Sequence, residues 1–236
     1  MTEAALRVLT WNVHSCIGTD GRLDPERVCR HIAALTPDIA ALQEVDSRRD
    51  RRDGFDLLGG CLAWPGRHHA AVRTVRTPDG DYGHMLLSRW PISAWREHDV
   101  TFGGREPRSM IEATIDSDLG RINVLCLHLG LARRERREQA LTIEALAEAD
   151  NRPTIVMGDF NEPSGRGAAA RILERRFRSA GRHRTWPSFS PLLPLDRIWF
   201  EPSLSLLRAG VHHDARRASD HLPLWADLRR RFSFPG

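Results

Sequence analysis

Asp159 and Asn161 stand two residues apart in Gly158-Asp159-Phe160-Asn161, directly after the apolar run Thr154-Ile155-Val156-Met157. Side chains along a strand repeat every two residues, so this spacing sends a carboxylate and an amide to the same side of a strand end. The pair suits water activation, although Gly-Asp and Asn also make ordinary turns after strands. Other apolar runs carry polar groups at their edges: Thr10-Trp11-Asn12-Val13-His14, Gln43-Glu44-Val45, Leu127-His128-Leu129 and Ser219-Asp220-His221-Leu222-Pro223. Attack of water on an anionic or weakly electrophilic centre needs a cation to neutralise developing charge. Glu44, ending an otherwise apolar strand, is the best single candidate for its ligand. Oxygen donors without a Cys/His cluster point to Mg²⁺, with Mn²⁺ as the alternative.

The elements that must position these groups alternate strand and helix before a strand-rich end. Strands are predicted at Leu6 to Val13, Asp38 to Val45, Tyr82 to Ser88, Ser109 to Ile115, Ile122 to Leu127 and Thr154 to Met157, then near Leu195 to Phe200, Leu204 to Gly210 and Leu222 to Leu228. Asp24-Pro25-Glu26 reads as an N-cap with proline at the first helical position, opening a helix to about Leu35. Further helices are expected at Ala132 to Ala149 and near Ala168 to Arg176. Most of Ser47 to Gly60 and of Trp64 to Gly80 reads as exposed loop. This order alone gives an α/β protein.

At 236 residues the chain is long enough for a substantial core. Asn12 and His221 lie near opposite ends, so a shared site requires one folded unit, a single domain over residues 1–236. The net charge of +4 and pI of about 9.3 fit an anionic partner without identifying one. All 35 basic residues are arginine, which reads as codon bias before it reads as phosphate recognition. Arg133, Arg134, Arg136 and Arg137 form either a phosphate-facing patch or a solvated face interleaved with Glu135 and Glu138. Cys16, Cys29, Cys61 and Cys126 lack Cys-x-x-Cys spacing and read as reduced thiols. With no room for a signal peptide before the first strand, and no run approaching roughly 18 apolar residues, a soluble cytoplasmic protein is expected.

Taken in order from Trp11 to Pro223, the five segments resemble the endonuclease/exonuclease/phosphatase superfamily of metal-dependent hydrolases. The resemblance implies a four-layer α/β/β/α sandwich, two packed mixed sheets flanked by helices. It implies that Glu44 binds the metal with Asn12 beside it as ligand or orienting group, and that Asp220 lies near the ion. Asp159 would activate the attacking water and Asn161 contact the phosphate. His221 would bind or protonate a phosphate oxygen with Asp196 as its paired carboxylate, and His128 would hold the scissile phosphate. His84 stands in Tyr82-Gly83-His84 where relatives often have Tyr-Gly-Asn, and Arg108 matches an arginine used near the substrate. His14, Asp20 and Arg22 either border the pocket or form a solvated turn.

The leading reading is a Mg²⁺-dependent hydrolase of phosphate esters, a phosphodiesterase on small-molecule or lipid phosphodiesters, with peripheral contact to lipid head groups. A second is an endonuclease or exonuclease gripping DNA or RNA through Arg67, Arg73 and Arg76 with Trp64. A third is a non-catalytic phosphate-binding scaffold that retains the fold.

Overall fold

The computed structural model describes residues 5–48, 54–62 and 68–231. In chain order the strands are β1 (Leu6–Asn12), β2 (Ile39–Asp46), β3 (His68–Thr77), β4 (Gly80–Ser88), β5 (Ile92–Asp99), β6 (Ser109–Ser117), β7 (Gly120–His128), β8 (Thr154–Asp159), β9 (Arg178–Ser179), β10 (Asp196–Phe200), β11 (Leu204–Val211) and β12 (Leu224–Arg230). The α-helices are α1 (Pro25–Leu35), α2 (Gly54–Gly59), α3 (Arg133–Glu148) and α4 (Ala168–Leu173). One sheet runs β11-β12-β1-β2-β4-β3 and the other β5-β6-β7-β8-β10-β9. Both are mixed, with β1 parallel to β2 in the first and β7 parallel to β8 in the second.

Strand parity explains why the central runs are almost wholly apolar. Leu6, Val8, Ile39 and Ala41 meet Ile111, Ala113, Ile155 and Met157 between the sheets. The alternate residues Leu9, Trp11, Ala40 and Leu42 face the other way, onto Val28 and Ile32 of α1 and Phe55 and Leu58 of α2. Leu125, Leu127 and Val156 likewise pack on Ala140 and Ile143 of α3 and Ile172 and Leu173 of α4. Two sheets covered on both faces make the expected α/β/β/α sandwich, because burying each face removes apolar surface from water. The capping prediction for α1 holds: Asp24 Oδ1 accepts the Arg27 backbone N–H at 2.8 Å.

The expected loops at Ser47 to Gly60 and Trp64 to Gly80 need correction, since α2 lies in the first and β3 in the second. The strand β5 has no counterpart among the predicted strands. Both β3 and β5 are edge strands, and β5 is mostly exposed. An edge strand tolerates the charges that mask its pattern. Of the nucleic-acid candidates, Trp64 and Arg67 lie outside the described residues. Arg73 pairs with Asp81 at 2.8 Å and stacks over Phe55. Arg136 is buried, donating to the carbonyls of Gly130 and Leu131, so it belongs to neither the patch nor the solvated face. Among the described residues no helix is long and apolar enough to cross a membrane.

The pairing registers bring the polar ends together. His128 is opposite Asp159 in the β7–β8 pair, and Asp159 is opposite Asp196 in the β8–β10 pair. Gly158 allows this closeness: a Cβ there would stand 2.0 Å from the Leu127 carbonyl oxygen.

Candidate active site

Asn12 links the two sheets. Its Nδ2 donates to Glu44 Oε1 at 2.9 Å and to Asp159 Oδ2 at 3.1 Å, so one amide bridges carboxylates of the two sheets and reaches a partner 147 positions away in sequence. Its Oδ1 accepts the His14 N–H at 3.1 Å, and its backbone carbonyl accepts the Ser219 hydroxyl at 2.7 Å. The second contact ties β1 to the loop carrying Asp220 and His221.

Glu44 reaches this position through an irregularity. The β2–β4 register shifts between Leu42 and Val45, and Glu44 adopts φ 57°. A bulge re-aims the side chain that an even strand would point into the helical layer. His14 and Asn161 also have positive φ, at 47° and 48°. Such left-handed non-glycine residues cost local energy and gather where function constrains the backbone.

Asp159 lies at the centre. Its Oδ1 accepts the Asn161 N–H at 2.8 Å, an Asx turn that locks the carboxylate, while Oδ2 faces His128 Nε2 at 3.6 Å and His221 Nε2 at 3.7 Å. The turn reading therefore holds, and the turn sets Asp159 between the two histidines. Asn161 Nδ2 donates to the Leu129 carbonyl at 2.9 Å. Burial raises the Asp159 pKa, but His221, His128 and the bonds from Asn161 and Asn12 outweigh it and hold the carboxyl below its ordinary value.

His221 Nδ1 bonds Asp196 Oδ2 at 2.8 Å. Burial disfavours the imidazolium, yet the nearby Asp196 and Asp159 carboxylates prevail and push the pKa up to about 10. Burial raises the pKa of the Asp196 carboxyl as well, and the two groups hold a proton between them. The donor atoms of Asp159, Asp196 and His221 lie within 4.8 Å of one another, a spacing an ion could span. The short His221–Asp196 bond instead marks this group as proton-holding.

His128 is the opposite case. Burial, and then Arg108, lower its pKa to about 3 despite Asp159, so it stays neutral. Arg108 Nη1 lies 3.4 Å from His128 Nδ1, and a guanidinium only donates, which places the ring proton on Nε2 toward Asp159. Arg108 is buried, and its Nη2 donates to Glu106 at 2.6 Å. His84 is buried too, and its Nε2 donates to the Ser109 carbonyl at 2.7 Å. Both residues expected at the substrate are thus committed to protein groups.

On the metal side, His14 Nδ1 stands 3.8 Å from Glu44 Oε2 and 3.3 Å from Asp220 Oδ1. Asp20 and Arg22 do not join it: Asp20 pairs with Arg27 and caps the Arg22 N–H. Burial raises the Glu44 pKa; the Asn12 bond lowers it, and neighbouring Asp159 raises it again. Three carboxylates and an amide, crowded so that one resists ionisation, are a donor set that a hard divalent cation would relieve.

Several supporting residues were absent from the sequence reading. Trp186 Nε1 donates to Asp220 Oδ2 at 3.2 Å, Trp11 Nε1 donates to the His221 carbonyl at 3.0 Å, and Thr185 Oγ1 accepts the Asp196 N–H at 3.3 Å. Only Ser219 carried a local signal, a hydroxyl two residues before His221 that accepts its N–H at 3.1 Å.

Comparison with known proteins places the chain in a family. A model of the Endonuclease/Exonuclease/phosphatase family matches residues 9–221. The Uncharacterized protein YbhP of Escherichia coli (strain K12) is 31% identical over 251 residues, covering 96% of this chain and 97% of that protein. Among solved structures, an endonuclease/exonuclease/phosphatase family protein of Bacteroides thetaiotaomicron superposes with TM-score 0.81 at 16% identity, covering 99% of this chain and 99% of that one. A mannosyl-6-phosphatase of Bacteroides thetaiotaomicron VPI-5482 gives TM-score 0.75 at 19% identity, over 94% of this chain and 99% of that one. These two likenesses are of fold. With the family's pattern spanning the sequence from β1 to His221, the chain belongs to the endonuclease/exonuclease/phosphatase family, a family of phosphoester hydrolases.

Proposed function

We propose that the protein is a Mg²⁺-dependent phosphodiesterase that hydrolyses small-molecule or lipid phosphodiesters by direct attack of water on phosphorus. The observation that carries this reading is the buried Asp159 carboxylate, anchored through one oxygen and turned through the other toward Asn12, His128 and His221. Glu44, Asn12 and Asp220 would hold the cation; Mn²⁺ fits the same donors. When bound, the ion neutralises charge on the phosphoryl oxygens.

The protein's own groups then divide the work. Asp159, ionised at neutral pH, orients the water and accepts its proton as the new P–O bond forms. His221, charged through Asp196, offers Nε2–H to a phosphoryl oxygen, and neutral His128 offers a second N–H beside it. Asn161 presents its remaining amide hydrogen to the phosphate. Arg108 acts through His128 by fixing its tautomer, and His84 braces the neighbouring strand. The ester oxygen departs without a covalent enzyme intermediate.

Among the described nucleic-acid candidates, Arg73 is paired with Asp81, which weighs against the nuclease reading. The scaffold reading would fit a chain that had lost a metal carboxylate or the paired histidine, and both are present. Cys16, Cys29, Cys61 and Cys126 read as reduced thiols, which supports work in a reducing compartment, the cytoplasm. The test is turnover of bis-p-nitrophenyl phosphate with Mg²⁺ by the wild-type protein and its loss in Asp159→Ala. Absence of turnover on any phosphoester with Mg²⁺ or Mn²⁺ would favour the scaffold; plasmid nicking abolished by Asp159→Ala would favour the nuclease.

A further inference from the structure

A cavity of about 440 Å³ is lined by Arg182, His183, Arg184, Pro191, Val211 and His213. Its lining carries two arginines, two histidines and no carboxylate. Arg182 and Arg184 are exposed and form no ion pair with an acid among the described residues. Arg182 Nη2 donates only to the Pro163 carbonyl, at 3.3 Å. His183 donates from Nε2 to the Ala180 carbonyl at 3.2 Å, which leaves Nδ1 without that role. The excess positive charge reaches into the protein: burial, and then Arg182, hold buried Arg197 down to about 10.

Chain neighbours of the lining residues brace the candidate site. Arg184 precedes Thr185, whose hydroxyl accepts the Asp196 N–H. Pro191 lies in the loop closed by the Trp186–Leu193 bridge, and the Trp186 indole holds Asp220. Val211 ends β11 opposite Leu224, three residues after His221. The basic lining therefore belongs to the same loops that hold Asp196 and Asp220. Two guanidinium forks flanked by imidazoles suit a phosphate, whose oxygens accept paired N–H donors.

We propose that this cavity is an oxyanion subsite that takes a second phosphate of the substrate, making the enzyme selective for esters that carry a phosphate beyond the scissile one. The proposal deepens the phosphodiesterase reading and rests on it for the word substrate, but not for the anion site itself.

Two measurements on the full chain separate these parts. Without added divalent ion the acidic centre repels anions, so calorimetric titration with inorganic pyrophosphate reads the cavity. Wild type should bind, and Arg182→Gln/Arg184→Gln should weaken binding at least tenfold. No binding by wild type, or equal affinity in both proteins, would overturn the subsite. Arg184→Gln alone, which removes an exposed side chain, keeps the test open should the double variant fail to fold. With Mg²⁺, the p-nitrophenyl ester of thymidine 5′-phosphate is compared with the same ester bearing a 3′-phosphate. Wild type should show a KM at least tenfold lower for the second ester, and the variant should lose that preference while its kcat/KM on the first is unchanged. Pyrophosphate binding without any KM preference would assign the cavity to a free anion and overturn the substrate assignment. If wild type turns over neither ester, the phosphodiesterase reading falls and the calorimetric result alone decides the anion site.

Discussion

The two halves of the candidate site are built from the same residue types and behave differently. On the first-sheet side, the Glu44, Asp220 and His14 side chains are 22%, 36% and 45% exposed. On the other side, His128, Asp159 and Asp196 of the second sheet, with His221 reaching across from the loop before β12, are at most 6% exposed. Water reaches one set of carboxylates and is excluded from the other. The wet half can exchange a cation with solvent at modest desolvation cost, whereas the dry half keeps fixed protonation states through close partners in a low dielectric. Acid and imidazole composition alone does not separate these roles; exposure does.

Asp159 stands on the dry side but touches both halves through Asn12, so its removal has the largest expected effect. Asp159→Ala should lower kcat on bis-p-nitrophenyl phosphate by about 10³- to 10⁴-fold, with the far-ultraviolet circular dichroism retained. An active variant would sever the comparison, because neither half would then depend on their shared carboxylate. Glu44→Gln comes next, with a loss of about 10²-fold that excess Mg²⁺ partly restores. Restoration by metal is the signature of the wet half, and Asp196→Asn should show none.

The protonation states give the third test, Asp196→Asn, with an expected loss of about 10²-fold in kcat. His221 has a folded pKa near 10 against an ordinary value of 6.5, so its contribution to stability is complete below 6.5 and disappears as pH rises through about 10. His128 is depressed to about 3, so its contribution is present above 6.5 and is lost as pH falls toward 3. Thermal melting of the wild type should therefore decline on both sides of a maximum near neutrality. Asp196→Asn should flatten the alkaline limb and leave the acid limb in place. A variant in which both limbs are unchanged would show that His221 draws its charge from elsewhere.

What could be read in the sequence followed the same division. Asp159 with Asn161, and His128 at the end of an apolar run, were legible because strand periodicity and burial leave a pattern that local chemistry fixes. The fold class was legible for the same reason: central strands buried on both faces are continuous apolar runs. Glu44 was legible as a residue but not as a direction, since the bulge that turns it depends on a register shift against β4. His14 was left ambiguous because its partners, Glu44 and Asp220, are remote in sequence. Trp186 and Thr185 gave no signal, as their contacts are made across tertiary structure. Arg136 was misplaced because interleaved acids suggested a solvated face, while its guanidinium is drawn inward by the unpaired carbonyls ahead of α3. Charged edge strands hid β3 and β5, whose pairing comes from their neighbours and not from their own pattern.

The smallest expected effect falls on a histidine that the sequence cannot distinguish from His128. Both rings are buried and both are held neutral, His84 by burial that lowers its pKa to about 4. They differ in where the ring proton points. His128 Nε2–H faces Asp159, whereas His84 Nε2–H is taken by the Ser109 carbonyl of β6. Glutamine can supply a side-chain N–H in nearly the same place but cannot act as an imidazole. His84→Gln should therefore keep kcat and KM within about twofold and lower stability by about 1 kcal/mol, the scale of one buried hydrogen bond imperfectly replaced. His128→Gln should lower kcat by at least about tenfold at similar stability. A loss in His84→Gln as large as in His128→Gln would mean that the dry half extends to β4, with substrate contact reaching a side chain that here bonds the Ser109 carbonyl of the facing sheet.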